Sequence, residues 1–214
     1  MTSSPRSPFL VELIRARKGL RRLLSALSLV LAVAGLGGLA YPMATNVVQH
    51  RIQQRLAASL RTPEAAAAYR AGTVGVGHGL TRLRIPDAGT DVIVVEGTGR
   101  SALRAGAGHY PGTPLPGESG NVVVSGHRTT YLHPFYNLNE LSVGDPITLT
   151  KPDGTKDIYL VSETKVVAPT AVEVISNTPD DRLTLTTCNP RYSAAQRLVV
   201  VAELYNPQAK PAPA

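Results

Sequence analysis

Only one cysteine, Cys188, occurs among the 214 residues, so no intrachain disulfide can form. Aromatic residues are scarce at 5% of the chain, while 19 glycines and 17 prolines punctuate it. The apolar positions go mainly to Val, Leu and Ile, which fits many turns and short strands better than a helical bundle. Several chemistries lack their sequence patterns. There is no Cys-x-x-Cys and no His-Glu-x-x-His, so His109, His127, His133 and Cys188 do not have the spacing of a zinc site. The acids are scattered and form no cluster suited to a hard cation. No metal and no cofactor is expected. There is no Gly-x-Ser-x-Gly elbow, which argues against a serine hydrolase. The segments that surround papain-type and caspase-type cysteines are missing as well.

Charge of one sign is also lacking where it would matter for nucleic acid. The formal net charge is +7. Residues 1–80 hold ten Lys or Arg against two acids, and residues 81–214 hold twelve against thirteen. The C-terminal region therefore has no basic stripe, and nucleic acid is not an expected partner.

What the N-terminal region does have is a long apolar run. Leu23–Tyr41, "LLSALSLVLAVAGLGGLAY", is 19 residues without a charge. As a helix it is about 28 Å long, close to the roughly 30 Å hydrocarbon core of a bilayer. Arg15, Arg17, Lys18, Arg21 and Arg22 crowd its N-terminal side. The positive-inside rule then predicts a cytoplasmic basic segment over 1–22, a membrane anchor over 23–41, and everything later outside the cell. The run exceeds the usual apolar core of a cleaved signal peptide, and "YPMATN" is a poor cleavage site, so an uncleaved single-pass anchor is the preferred reading. Residues 42–79 read as a helical stalk and linker, with Pro63 opening a second short helix. The last residues, 207–214, read as a disordered Pro/Ala tail.

From residue 80 to 206 short strands succeed one another: Leu80–Ile85, Asp91–Glu96, Asn121–Ser125, Pro146–Lys151, Lys156–Val167, Asp181–Thr187 and Arg197–Tyr205. A Pro-Asp-Gly turn at 152–154 joins two of them as a hairpin. Helical pieces are expected at Ser101–Ala105 and Pro134–Leu141. The fold class is all-β, a barrel or sandwich with short helices. "DVIVVEGTGRSALRAG" has the outline of a dinucleotide-binding turn. Its helix ends in "GAGHYPGTPLPGESG" and no acid follows at the right distance, so a glycine turn between β elements is the better reading.

Cys188 ends the alternating run "LTLTTC". A small buried residue is one reading of a lone thiol. Its surroundings favour another. His127 closes the apolar strand "NVVVSG", so two reactive groups ending two strands can meet at one rim of a barrel. Arg197 opens the last strand nine residues after Cys188, where an antiparallel return brings a permanent cation back beside the thiol. Arg191 is nearer in sequence but sits in the intervening loop.

"TLTTC" at Thr184–Cys188 resembles the TLxTC signature of sortases, membrane-anchored cysteine transpeptidases of Gram-positive bacteria. "SGHRT" at Ser125–Thr129 resembles the histidine segment of that family, and Arg197 stands where it has its arginine. The segments "GHYPGT", "GHRTTYLHPFYNL" and "TLTTCNPRYSAAQRLVV" are most similar to class E enzymes of actinobacteria. The resemblance implies an eight-stranded sortase β-barrel over residues 80–206. It implies that Cys188 attacks the Thr–Gly bond of a C-terminal sorting signal, Leu-Ala-x-Thr-Gly or similar to Leu-Pro-x-Thr-Gly, on a secreted protein. His127 then protonates the leaving amine and deprotonates the incoming amine of a cell-wall peptide, lipid II or peptidoglycan, and Arg197 steadies the signal or the oxyanion. Thr187 is the matching motif threonine, implied in substrate contact. In the family the Cys and His are mostly neutral, with the ion pair a minority form. Tyr110, in the Gly/Pro-rich loop 104–120, is a candidate groove residue. The alternative is a membrane-tethered β-domain without catalysis that binds cell-surface proteins and buries Cys188 as a structural residue.

Overall fold

The computed structural model describes residues 8–206. Residues 1–7 of the expected basic segment and the expected tail at 207–214 lie outside the described residues. The chain divides into two compact units, with the boundary between Thr45 and Asn46. The first helix, α1 (Pro8–Leu60), runs through the first unit and into the second. In the first unit Arg17–Gly38 is long and apolar enough to cross a membrane, with a mean hydropathy of 1.6 and none of it buried. A helix of this kind left uncovered by protein is a candidate membrane span.

The second unit is a barrel with its own short helices. α2 (Pro63–Arg70) starts as the sequence predicts. Thr62 caps it by accepting the Ala65 amide at 3.3 Å, Pro63 fills the first turn, and Glu64 and Arg70 match the helix dipole. The strands are β1 (Gly79–Ile85), β2 (Thr90–Glu96), β3 (Ala107–His109), β4 (Asn121–Ser125), β5 (Pro146–Thr150), β6 (Lys156–Val167), β7 (Arg182–Asn189) and β8 (Gln196–Leu204). They close in the order β1-β2-β3-β4-β7-β8-β6-β5. The eight-stranded barrel expected from the sequence is what the chain forms. Leu83, Val94, Val124, Leu149, Leu183 and Val200 are among the fully buried side chains that fill it.

Three differences from the sequence reading have physical causes. First, β3 is too short to show a strand rhythm, and it pairs with β2 in parallel through the short helix α3 (Arg100–Ala105). The glycine-rich turn therefore opens a miniature β-α-β crossover rather than a plain turn. Gly108 has no room for a Cβ because it approaches the Gly97 carbonyl. Second, Pro134–Leu141 is not a helix; only Leu138–Glu140 forms a 3-10 turn. Its backbone is claimed elsewhere. The Thr90 hydroxyl donates to the Pro134 carbonyl at 2.6 Å, the Phe135 amide donates to the His127 carbonyl at 3.2 Å, and Arg191 donates to the Tyr136 carbonyl. Third, the stalk segment after Asn46 packs on the barrel. The Gln53 side chain mimics a strand edge: its Oε1 accepts the Ile93 amide at 2.7 Å and its Nε2 donates to the Ile93 and Ala105 carbonyls. Leu60 is buried beside Gly79.

Candidate active site

The site grows from the register of three adjacent strands. β4 and β7 run parallel, with Ser125 opposite Thr186. β7 and β8 run antiparallel, with Cys188 opposite Arg197. Side chains alternate across a sheet, so Thr184, Thr186 and Cys188 share the outer face of β7, and directly paired residues share a face. Leu183 and Leu185 point inward and are fully buried. Extending β4 by two residues from Ser125 carries His127 alongside Cys188. β7 is longer than the sequence suggests, so Cys188 lies within its last paired residues rather than after them.

The outer face of β7 is covered. Residues 168–177 fold over it and make a roof. The Asn121 amide donates to the Val174 and Ser176 carbonyls, and its Oδ1 accepts from the buried Thr184 hydroxyl at 2.7 Å. Between roof and sheet lies a cleft of about 350 Å³. Tyr110, His127, Thr187, Cys188 and Arg197 all line it, and Val167, Pro169, Val172, Val174 and Ile175 give it an apolar wall. The five residues singled out from sequence therefore meet at one cleft. Cys188 is partly exposed there.

Thr187 occupies its position differently from a groove residue. Its side chain is on the inner face and only 3% exposed, and its hydroxyl donates to the Gly126 carbonyl at 2.7 Å. The bond ties the end of β7 to the segment carrying His127. Gly126 is required there, because a Cβ would come within 2.6 Å of the Phe135 ring. Tyr110 sits at the end of β3, held by its amide to the Val123 carbonyl at 2.8 Å. His109, a zinc candidate by residue type alone, is buried, and its Nδ1 is hydrogen-bonded to Glu96 Oε2 at 2.7 Å. Among the described residues no group of three or more His, Cys, Asp or Glu is placed to hold a metal.

Arg197 is aligned with Cys188, yet its Nη1 donates to the Ala194 and Gln196 carbonyls at 3.0 Å each. One edge of the guanidinium is thus spent on its own loop. Sequence reasoning assigned nothing to Tyr131 and Arg104. The Tyr131 ring packs 5.1 Å from the His127 ring, and the Arg104 guanidinium lies over the Tyr131 ring at 5.4 Å. Tyr131, Leu132 and His133 all have positive φ (49°, 64° and 38°), a left-handed run that turns this loop back toward His127. No sequence pattern announces such a run in residues other than glycine.

Burial, and then the Arg104 cation, hold His127 below its ordinary pKa of 6.5. Arg104 is exposed, so its share is screened by salt. In an Arg104→Gln variant the His127 ring titrates at higher pH than in the wild type. Raising salt to about 1 M moves the wild type in the same direction and leaves the variant nearly still. NMR titration of the ring protons checks both; a variant that titrates with the wild type contradicts the assignment.

Residues 83–205 match the family described as the sortase domain. The chain is 30% identical to sortase SrtE1 of Streptomyces coelicolor over 73% of its own length, and the match spans about half (49%) of that relative. Among solved structures it is similar to a Clostridium perfringens sortase D5 transpeptidase, with a TM-score of 0.65 and 25% identity over 75% of this chain and 99% of that one. It is also similar to sortase E from Streptomyces avermitilis, with a TM-score of 0.56 and 36% identity over 62% of this chain and 91% of that one. An eight-stranded barrel, a cleft on the outer face of β4, β7 and β8, and these likenesses lead to one conclusion: the chain belongs to the sortase family, and resembles its E-type members from Streptomyces.

Proposed function

We propose that this chain is a membrane-anchored cysteine transpeptidase that joins secreted proteins to a cell-wall amine. The observation that carries the reading is the pairing of Cys188 with Arg197 across β7 and β8 in the same cleft as His127. The Cys188 thiol passes its proton to His127 as Sγ attacks the Thr carbonyl carbon of a Leu-Ala-x-Thr-Gly-like signal. The Thr–Gly C–N bond breaks, His127 gives a proton to the leaving glycine amine, and a thioester remains. The amine of a cell-wall peptide then attacks the thioester carbon and His127 takes its proton. The new amide leaves and Cys188 is a thiol again. Arg197 offers N–H groups to the oxyanion or to the signal backbone. The apolar wall formed by residues 167–175 receives the leucine of the signal, and Tyr110 borders it. Thr187 acts through position, by holding the Gly126–His127 segment against β7. The N-terminus lies in the cytoplasm and the barrel outside, as the basic residues before Leu23 favour.

The tethered binding domain without catalysis needs a buried, structural Cys188; the partial exposure of the thiol in a cleft with His127 favours catalysis. Incubating the barrel-bearing protein with a Leu-Ala-x-Thr-Gly peptide, with and without an added amine, tests the reading. The expected outcome is cleavage at Thr–Gly with the Thr-terminated fragment joined to the amine. A fragment ending in free acid at every amine concentration indicates a hydrolase, and an intact peptide across several sorting motifs contradicts the enzyme reading.

A further inference from the structure

The cleft is lined by one permanent cation, Arg197, and by no Asp or Glu. Glu173, on the roof, is exposed and outside the lining, and Glu140 is paired with Arg191. A second cation stands at the His127 end. Arg104 lies in the last turn of α3, and its neighbour Leu103 lines the cleft. The Arg104 side chain is exposed and, among the described residues, has no hydrogen-bond or ion-pair partner. Its guanidinium lies over the Tyr131 ring at 5.4 Å, and that ring packs 5.1 Å from the His127 ring. Tyr131 begins the left-handed run through His133, a backbone state that costs non-glycine residues energy and that the surroundings must offset. An unpaired fork of N–H donors is thus fixed two contacts from the group that handles the protons.

The charge balance bears on the second substrate. An alkyl amine reaches the cleft mainly as an ammonium, because such amines keep their proton up to about pH 10. Arg104 and Arg197, with no acid beside them, repel a bare ammonium. An amine that carries its own negative charge escapes that penalty. We propose that Arg104, set on Tyr131, is the acceptor-recognition residue: it pairs with a carboxylate carried by the incoming amine and so selects amino-carboxylate acceptors over simple amines. The inference rests on the transpeptidase reading, in which the signal takes the apolar wall under the roof and leaves the α3 side of His127 to the acceptor. A guanidinium fork suits a carboxylate in bidentate geometry. The pairing also acts on His127. Burial, and then Arg104, hold that ring below 6.5. A carboxylate on Arg104 cancels the second contribution, so the ring becomes a better base once the acceptor is in place. The other titratable or charged groups around His127 are Tyr131 on its own loop, Tyr110 at the end of β3, Cys188 on β7 and Arg197 on β8, and none is a carboxylate.

Two acceptors with one diamine chain test the selection: 2,6-diaminopimelate, and cadaverine, which lacks its carboxylates. Each is offered with a Leu-Ala-x-Thr-Gly peptide, and the ratio of their kcat/KM values cancels effects on the peptide. Relative to wild type, the ratio of diaminopimelate to cadaverine falls about fivefold in Arg104→Gln and more than about tenfold in Arg104→Glu, mainly through the KM of diaminopimelate. Both variants keep the fold, because the side chain is exposed. A ratio unchanged in either variant overturns the proposal. A second readout needs no turnover. Pimelate, the same chain without amines, moves the His127 ring titration to higher pH at constant ionic strength in the wild type and not in Arg104→Gln, as NMR of the ring protons reads it. A wild type indifferent to pimelate overturns the proposal, as does a variant that responds like the wild type. If neither amine is joined to the peptide while pimelate still acts through Arg104, the transpeptidase reading fails and the carboxylate site stands.

Discussion

Cys188→Ala leaves the barrel folded and lowers cleavage of a Leu-Ala-x-Thr-Gly peptide at least about ten-thousand-fold. The size follows from what is removed. No other thiol exists in the chain, so no neighbour can take over the covalent step. The fold survives because the side chain is small, partly exposed and outside the inner-face core, which is filled by Leu183, Leu185 and their neighbours. Steady-state peptide cleavage, with circular dichroism as the folding control, checks both halves. A variant that keeps more than about one hundredth of the activity places the nucleophile elsewhere.

His127→Asn lowers kcat about a hundred- to ten-thousand-fold, with a smaller effect on KM, because proton transfer is lost and most peptide contacts are kept. A second effect concerns stability, and its sign is fixed by the direction of the pKa shift. Folded His127 is held below 6.5, first by burial and then by Arg104, so the unfolded chain binds its proton more readily. Wild-type stability is therefore lost as pH falls from 6.5 through the folded value, and nothing is lost above it. Asparagine has no such proton. The gap in melting temperature between variant and wild type shifts in favour of His127→Asn as pH is lowered across that window. A gap that does not change with pH contradicts the shift, and unchanged turnover contradicts the role.

Much of this site could be read along the chain because its parts sit where strands begin and end. "NVVVSG" before His127, "LTLTT" before Cys188 and "RLVVVAEL" after Arg197 are strand patterns with reactive residues at their ends, and parallel and antiparallel neighbours bring such ends together. The candidate membrane span over Arg17–Gly38 was legible because charge-free length is a property of sequence alone. Tertiary pairing was not legible. β3 has three residues and no rhythm of its own; it exists because Gly108 can press against Gly97. Pro134–Leu141 carries a helix-like apolar pattern, yet Thr90, His127 and Arg191 take its backbone groups. Residues 168–177 roof the face of β7 opposite its leucines through Asn121, which spacing does not reveal. Arg128 was in plain view in "SGHRT", but nothing local distinguishes an arginine that folds under a strand end from one that faces solvent.

The central claim is that Cys188 forms the covalent bond to the signal. Intact-protein mass spectrometry after mixing with a Leu-Ala-x-Thr-Gly peptide, in the absence of any amine acceptor, tests it most directly. The account predicts an adduct whose mass equals the peptide up to and including the threonine, less one water, located on Cys188 and released by hydroxylamine as a thioester is. Cleavage of the peptide with no such adduct under rapid quenching, or an adduct on another residue, would contradict it.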